Sequence, residues 1–252
     1  MFENHVAKSA NKRKIPKVCD RTLLSDLARV TSGYDAVIVC LPHSDALAAF
    51  LDQTAASGKP VVTLATDIGA TQAVYVGPDN YQSGRLAGDL VGRLLGREGG
   101  DLLLVVGFLS MMGQAERRLG FEHVLAERYP ACRIIETAES DDNGPRAGDL
   151  VFDALKRHPS IRAIYNAAAG ARQIVQALQR LDRSKDIVFV THELTEHRRA
   201  LLREGFIDAV IDQDPTLEVA VALRVIAGAQ GRIEPNLAER ETPVRIVLRE
   251  NC

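Results

Sequence analysis

From Lys17 onward the chain alternates between two kinds of segment, and this alternation constrains its fold more than any other feature. Short apolar runs rich in β-branched residues are followed by a turn and then by a segment with helical periodicity. Such a pattern predicts parallel strands joined by crossover helices. Most of the apolar runs are continuous, which is typical of strands whose sheet is covered by helices on both faces. We therefore predict an α/β fold with parallel sheets.

The alternation also gives the approximate bounds of each element. Strands are predicted at residues 16–20, 35–41, 60–65, 73–77, 101–107, 132–138, 163–167, 186–192 and 208–213. Helices are predicted at residues 23–31, 43–58, 81–96, 115–129, 145–158, 169–181 and 195–205. The alternation of strands and helices then ends, and it is followed by a long helix at 214–231, a proline-bearing stretch and a last β-rich run at 244–251. Elements that return across the molecule in this way predict two lobes joined by several crossing strands.

Charge and composition exclude several classes of protein. The formal net charge is -2 and is spread along the chain, so no broad basic face is available to hold a polyanion. The most basic stretch, residues 11–17, is interpreted as a solvated helix face. The N-terminus lacks the apolar core of a secretory signal, and no apolar run approaches the length of a membrane span. These features predict a cytoplasmic protein.

The cysteines and glycines carry no recognisable metal or cofactor motif. Four cysteines are widely spaced, with no C-x-x-C pair and no histidine at metal-ligand spacing, so we predict reduced thiols packed as small apolar residues. They are Cys19, Cys40, Cys132 and Cys252. The glycines of GRLAGDLVG follow helical spacing and match no phosphate-binding loop. No metal and no cofactor is predicted.

Five segments, in order, resemble one known fold. They are GYDAVIVC with a downstream SGKPVVTL, YVGPDNYQSGRLAGDLV, QAERRLGFEHVL, HPSIRAIYNAAAGARQIVQAL and IDAVIDQDP. This fold is shared by periplasmic sugar receptors and the effector domains of lac-repressor-family (LacI/GalR) transcription regulators. The resemblance implies two Rossmann-like lobes of the periplasmic binding protein type I kind, joined by a multi-strand hinge. It places residues 1–78 with 214–235 in one lobe and residues 79–213 with 236–252 in the other.

The resemblance also implies ligand-binding residues in the cleft between the lobes. Arg117, three residues ahead of Gly120, would lie at the mouth of the cleft, where its guanidinium can donate to two hydroxyls or a carboxylate. The alternative is a surface ion pair with Glu116 or Glu122. Asn166 follows a strand and would lie at its carboxyl end, where ligands of open α/β sheets bind. The alternative for Asn166 is a cap on the next helix.

Four further residues are candidates on the same basis. Gln213 corresponds to a glutamine at the last crossing between lobes. Asp67 lies near the position of an aspartate that binds sugar in many of the resembling proteins, and the two positions can differ by one residue in the alignment. Glu193 replaces an aspartate with a longer side chain, and Asp142 falls near a position that can hold a stacking aromatic. Because the chain has no tryptophan and 5% aromatic residues, a polyol, a sugar acid and a phosphorylated compound all stay open as ligands.

The resembling proteins begin with a β-strand and a helix that enters the cleft. Here the chain would start inside that helix, so the first lobe would lack its first, central strand and the chain would contain no DNA-reading element. A swapped segment or an altered strand order would have to replace the strand. The glycine-bearing helix after Asp79 and Asn80 is expected to have a structural role near the dimer surface or hinge.

Our first functional hypothesis is the effector-binding domain of a LacI/GalR-family transcriptional regulator. It would bind a sugar-like effector, close about its hinge, form a homodimer, and reach DNA only through an N-terminal helix-turn-helix absent from this chain. The alternative is a periplasmic substrate-binding protein of a sugar ABC importer. An enzyme is not favoured. Ser110 lacks a nucleophile elbow, and His192 beside Glu193 is better interpreted as a neighbour of the pocket than as an acid–base pair.

Overall fold

The computed structural model describes residues 21–234 and 237–252. The strand predicted at 16–20 and the residues before it lie outside the described part of the chain. The strands are β1 Val37–Val39, β2 Val61–Leu64, β3 Val74–Val76, β4 Gly100–Val106, β5 Cys132–Glu139, β6 Ile161–Asn166, β7 Val188–His192, β8 Ala209–Asp212 and β9 Arg245–Val247. The helices are α1 Arg21–Thr31, α2 Asp45–Ala56, α3 Asn80–Leu95, α4 Met112–Arg128, α5 Gly144–Arg157, α6 Ala171–Arg180, α7 Glu196–Arg203 and α8 Pro215–Ala229.

The strands form two separate sheets, one in each lobe. The first sheet has the order β1-β2-β3 and is parallel throughout. The second has the order β5-β4-β6-β7-β8-β9, in which β9 alone pairs antiparallel, with β8. The predicted α/β fold with parallel-sheet lobes is confirmed. The predicted absence of a first strand stays a prediction, because residues 1–20 lie outside the described part.

The three-stranded sheet is covered by helices from both ends of the chain. On one face, Leu47 and Leu51 of α2 are fully buried beside Val37 and Val39 of β1. On the other face, the buried side chains of β2 and β3 pack against α8. These side chains are Val62, Val76, Val221, Ala222 and Val225. The long helix after residue 213 therefore completes the core of a sheet made of residues 37–76.

The six-stranded sheet is likewise covered on both faces. Helices α5, α6 and α7 bury one face, and helices α3 and α4 bury the other. On the α4 side, the rings of Phe121 and Tyr165 stack with centroids 4.5 Å apart. Complete burial of an aromatic or large aliphatic side chain contributes about 1.5–3 kcal/mol, so both faces of this sheet add substantially to the stability of the second lobe. No helix within residues 21–234 and 237–252 is both long and apolar enough to cross a bilayer.

The glycines of α3 allow α3 and α4 to touch along their backbones. A Cβ atom on Gly84 would lie 2.0 Å from the carbonyl oxygen of Arg117, and one on Gly120 of α4 would lie 2.0 Å from that of Tyr81. Real Cβ atoms never approach so closely, so only glycine fits at either position. The helical spacing of these glycines thus supports a helix–helix contact inside one lobe.

The chain passes between the sheets from β3 to α3, from β8 to α8, and from α8 to β9. The first and last of these crossings are hydrogen bonded to each other. The amide of Gly77 donates to the carbonyl of Arg240 at 3.2 Å, and the amide of Thr242 donates to the carbonyl of Gly77 at 3.0 Å. The exact residues at which one lobe ends and the other begins stay a prediction.

Candidate functional site

A cavity of about 540 Å³ opens between the two sheets. All of its lining residues follow the carboxyl ends of parallel strands, either in the loop or in the helix that comes next. From the three-stranded sheet they are Cys40, Ala65 and Thr66. From the six-stranded sheet they are Met111, Gly113, Gln114, Arg117, Asp142, Ala167, Ala168, Ala169, Gly170, Ala171, Arg172, Gln173, Glu193, Thr195, His197, Arg198, Leu201 and Gln213. Ligands of open α/β sheets bind at this end of the strands.

Arg117 lies in the cavity wall and joins two of the crossing segments. Its Nε donates to Asn80 Oδ1 at 2.8 Å, and its Nη2 donates to Gln213 Oε1 at 2.5 Å. Arg117 is 6% exposed, and Gln213 is also buried. Neither alternative ion pair of Arg117, with Glu116 or with Glu122, is formed in the described part of the chain, and Glu122 accepts from Arg118 at 2.7 Å. Arg117 and Gln213 therefore meet at the cavity, and their predicted ligand roles stay predictions.

Asp142 and Glu193 also line the cavity, but their carboxylates differ in hydrogen bonding and exposure. Asp142 accepts from the amide of Ala169 at 3.1 Å and from Gln114 Nε2 at 2.9 Å. Glu193 lies in the left-handed region with a φ of 63°, and its side chain is 46% exposed. Its nearest charged partner is Arg198, whose Nη1 lies 3.5 Å from Oε2. Glu193 is thus the acceptor with the fewer hydrogen bonds to the rest of the chain.

Asn166 and Asp67 do not line the cavity. The buried Asn166 amide donates to the carbonyl of Ala168 at 3.0 Å and to Thr191 Oγ1 at 3.2 Å, so it orders the loop that does line it. The Asp67 carboxylate accepts from the following two amides, at 2.6 and 3.1 Å. Thr66, one residue earlier, faces the cavity instead. Both predicted side chains are engaged by local backbone, the usual preference of Asn and Asp in turns.

Cys40 is a cavity residue that the sequence analysis missed. The thiol follows β1 and is exposed, so the prediction of a packed small apolar residue is wrong for Cys40, whereas Cys132 is buried. Partial desolvation raises the pKa of the Cys40 thiol, and the carboxylates of Glu218 and Glu193 raise it further. Its place near the carboxyl end of the predicted strand 35–41 was the available signal, because Asn166 was chosen for its place at the end of a strand.

Arg198 is a second missed residue, on α7. It lines the cavity, is 8% exposed, and donates from Nη2 to the carbonyl of Ala168 at 3.1 Å. Its Nε has no hydrogen-bond partner among residues 21–234 and 237–252. Burial lowers the pKa of this guanidinium, while the carboxylates of Glu193 and Asp142 act to raise it. Nothing in the run EHRRALLR distinguishes the inward-facing arginine from its neighbours.

A buried carboxylate lies close behind the cavity, in the first turn of α8. Glu218 is 1% exposed, and its Oε1 has no hydrogen-bond partner within the described part of the chain. Burial raises its pKa to about 7. The positive charge of Arg117 lowers this pKa, and the negative charge of Glu193 raises it. This carboxyl group therefore carries its proton over part of the neutral range.

His192 does not form an acid–base pair with Glu193. The imidazole is 2% exposed, and its Nε2 is 2.6 Å from the hydroxyl of Tyr165, inside the lobe. Burial holds its pKa well below the usual value, and the nearby Arg117 and Arg198 charges lower it further. Among residues 21–234 and 237–252 there is also no cluster of three or more His, Cys, Asp and Glu residues that could hold a metal ion.

Comparison with known proteins shows which family and which relatives this chain resembles. A family model described as "Periplasmic binding protein domain" matches residues 24–232. The chain is 25% identical over 237 residues to the D-ribose/D-allose-binding protein of Pseudomonas aeruginosa, covering 86% of this chain and 71% of that protein. It is 23% identical over 192 residues to the ribose import binding protein RbsB of Bacillus subtilis, covering 75% of this chain and 60% of RbsB. It is 23% identical over 170 residues to the D-allose-binding periplasmic protein of Escherichia coli, covering 66% of this chain and 54% of that protein.

Solved structures show the same fold. The chain superposes on GanP, a glucose-galactose binding protein from Geobacillus stearothermophilus, with a TM-score of 0.82 and 23% identity, covering 90% of this chain and 81% of GanP. It superposes on an ABC transporter periplasmic solute binding protein from Actinobacillus succinogenes, solved with bound D-allose, with a TM-score of 0.80 and 20% identity. That match covers 91% of this chain and 84% of the other.

These findings correct two predictions. The first functional hypothesis, a LacI/GalR-family regulator, is wrong, because the relatives are ribose- and allose-binding proteins. The predicted cytoplasmic location is wrong for the same reason, since the family and the Escherichia coli relative are named as periplasmic. The five segments could not discriminate, because regulators and receptors share the fold. The prediction that the chain is not an enzyme is confirmed by the relatives, which are binding proteins.

The family model covers most of the chain and includes every strand of the two sheets except β9. The chain therefore belongs to the family of periplasmic binding protein domains.

Proposed function

We propose that the chain binds a sugar-like small molecule in the cavity between its lobes, as the solute-binding component of a sugar import system. The observation that carries this proposal is the polar cavity lined from both sheets, with buried Arg117 and Gln213 in its wall. A volume of about 540 Å³ lies within the usual range of small-molecule sites. The ribose- and allose-binding relatives support a monosaccharide-sized ligand.

The proposed mechanism is closure of the two lobes around the ligand. A ligand that touches Thr66 from one sheet and Gln114 from the other gains contacts only when the lobes approach, so it shifts the equilibrium toward the closed state. We take the lobes to be residues 1–78 with 214–235 and residues 79–213 with 236–252. The separate cores of the two sheets support this division. The earlier homodimer and DNA partners have no support in the comparisons and are not part of the proposal.

The test is isothermal titration calorimetry and thermal shift on the whole chain with pentoses, hexoses, and their acids and phosphates. A ligand that binds the native state raises the melting temperature by mass action. Arg117→Ala should weaken binding by roughly 10- to 100-fold, the effect of losing hydrogen bonds from a buried charged group.

Arg118→Ala is the matched control, because Arg118 is the next residue on α4, does not line the cavity and pairs with Glu122. It should leave affinity unchanged. Absence of binding for every compound in the panel would refute the proposed function.

A further inference from the structure

One corner of the cavity is formed by the start of α6. The residue before this helix, Gly170, has a φ of 97° and supplies no side-chain cap. Residues 168–172 line the cavity at this point. The first N–H groups of a helix have no acceptor within the helix, and the helix dipole adds partial positive charge there. Such an end favours an anion, but alone it does not define a site.

Arg198 supplies a second, independent feature at the same place. Its Nη2 donates to the carbonyl of Ala168, two residues before the helix cap, so the guanidinium adjoins the end of α6. The residue is more than nine-tenths buried, yet its Nε has no hydrogen-bond partner within residues 21–234 and 237–252. A guanidinium offers five donors in a fixed fork that matches carboxylate and phosphate oxygens.

Neither nearby carboxylate forms a hydrogen bond of normal length with this guanidinium. Asp142 accepts from the amide of Ala169 and from Gln114, so both of its oxygens are engaged elsewhere. Glu193 stays 3.5 Å from Arg198 Nη1, which is longer than a normal hydrogen bond. An anionic group that approached to about 2.8 Å would replace Glu193 as the partner of Arg198. Charged side chains of the lining are Arg117, Arg172 and Arg198 against Asp142 and Glu193.

We propose that this corner, made of residues 168–172 and Arg198 and called here the anion corner, binds the acidic group of a sugar-like ligand. The group is a carboxylate or a phosphate ester, held by the guanidinium and by the first amides of α6. The inference rests on the proposed function and narrows its substrate class from sugars in general to acidic sugars. The hydroxyls of the ligand would face the polar side chains on the rest of the wall, such as Gln213 and Thr66.

Calorimetry on the whole chain tests this with matched pairs: galactose against galacturonate, glucose against glucuronate, and glucose against glucose 6-phosphate. The acidic member of a pair should bind at least roughly tenfold more tightly, as expected for charge-assisted hydrogen bonds. Its affinity should fall as salt is raised, because salt screens the attraction. Tight binding of glucose 6-phosphate alone would identify a phosphate ester, and tight binding of the two sugar acids would identify a carboxylate.

Two variants locate the acidic group. Arg198→Gln and the exposed Arg172→Gln should each reduce the preference for the acid over its neutral partner, and the loss for Arg198→Gln should be roughly tenfold or more. The control is Arg199→Gln, which removes the neighbouring arginine of α7 outside the cavity and should leave the preference intact. If circular dichroism shows that Arg198→Gln does not fold, Arg172→Gln and the salt dependence decide the outcome.

Several results would overturn the inference. If neutral sugars bind and their acids do not, the anion corner is wrong and the proposed function stands. An acid preference that both cavity variants retain would also overturn it, since the acidic group would then lie elsewhere. If no compound binds, the inference and the proposed function fail together.

Discussion

The buried carboxyl group of Glu218 makes the stability of the chain depend on pH in a specific direction. Its pKa is about 7 in the folded chain, against an ordinary value of 4.5. Between these two values the folded state binds more protons at this site than the unfolded state does. Stability therefore falls as pH rises from about 4.5 to about 7, and the loss persists above that range.

The size of the effect follows from the shift. Each pKa unit corresponds to about 1.36 kcal/mol, so the full displacement sets an upper limit of about 3 kcal/mol. Relaxation of the protein around a buried charge reduces the effect below this limit, and we expect about 1–2 kcal/mol. Glu218→Gln keeps the shape of the side chain but removes its charge. This variant should be more stable than the original chain by that amount at pH 8, and the difference should shrink toward pH 5.

The assay is urea unfolding followed by circular dichroism at both pH values, with stability obtained by linear extrapolation. Glu98→Gln is the matched control, because the side chain of Glu98 is 87% exposed. It should not change the pH dependence. A Glu218→Gln stability difference that is the same at pH 5 and pH 8 would refute this account of the buried carboxyl group.

Three further predictions follow from contacts described above. Gly120→Ala should destabilise the chain by about 2 kcal/mol or more, because a Cβ there meets the carbonyl of Tyr81; an unchanged urea midpoint would contradict the close helix contact. Maleimide should alkylate Cys40 more slowly than it alkylates glutathione near pH 7.5, because the pKa of the Cys40 thiol is raised. Bound ligand should slow the alkylation of Cys40 further, since the thiol lines the cavity. Mass spectrometry measures both rates, and a rate equal to that of glutathione would count against the raised pKa. Asn166→Ala should cost about 1–3 kcal/mol of stability by leaving the amide of Ala168 and the hydroxyl of Thr191 without this partner, and a melting temperature equal to that of the original chain would argue against that role.

Most of the fold could be predicted because its elements carry strong local signals. The continuous apolar runs before Asp67 and Asn166 became β2 and β6, and the pattern of their burial explains why they were visible. The start of α4 was placed three residues late, at 115 rather than Met112. The preceding Met111 forms no side-chain cap, so the sequence gives no start signal there.

The site was harder to predict because it depends on which way single side chains turn. Arg117 and Gln213 line the cavity and their ligand roles stay predictions, whereas the Asp67 carboxylate accepts from its own backbone. Arg198 was missed because it lies among the polar residues Glu196, His197 and Arg199 in the first turn of a short helix, where no apolar period marks the inward face. The inward turn of Arg198 depends on the carbonyl of Ala168, thirty residues earlier, and such a contact has no local signature.

The packing of α8 on the three-stranded sheet has a consequence for synthesis of the chain. Residues 37–76 leave the ribosome early, but the helix that covers one of their faces begins only at Pro215. The side chains of Val62 and Val76 therefore remain uncovered on that face until residues 77–214 have been synthesised. Transiently exposed apolar surface of this kind invites aggregation. One face of the first sheet to be synthesised is thus among the last parts of the fold to be covered, and a chain released before α8 would leave that face open to chaperones and proteases.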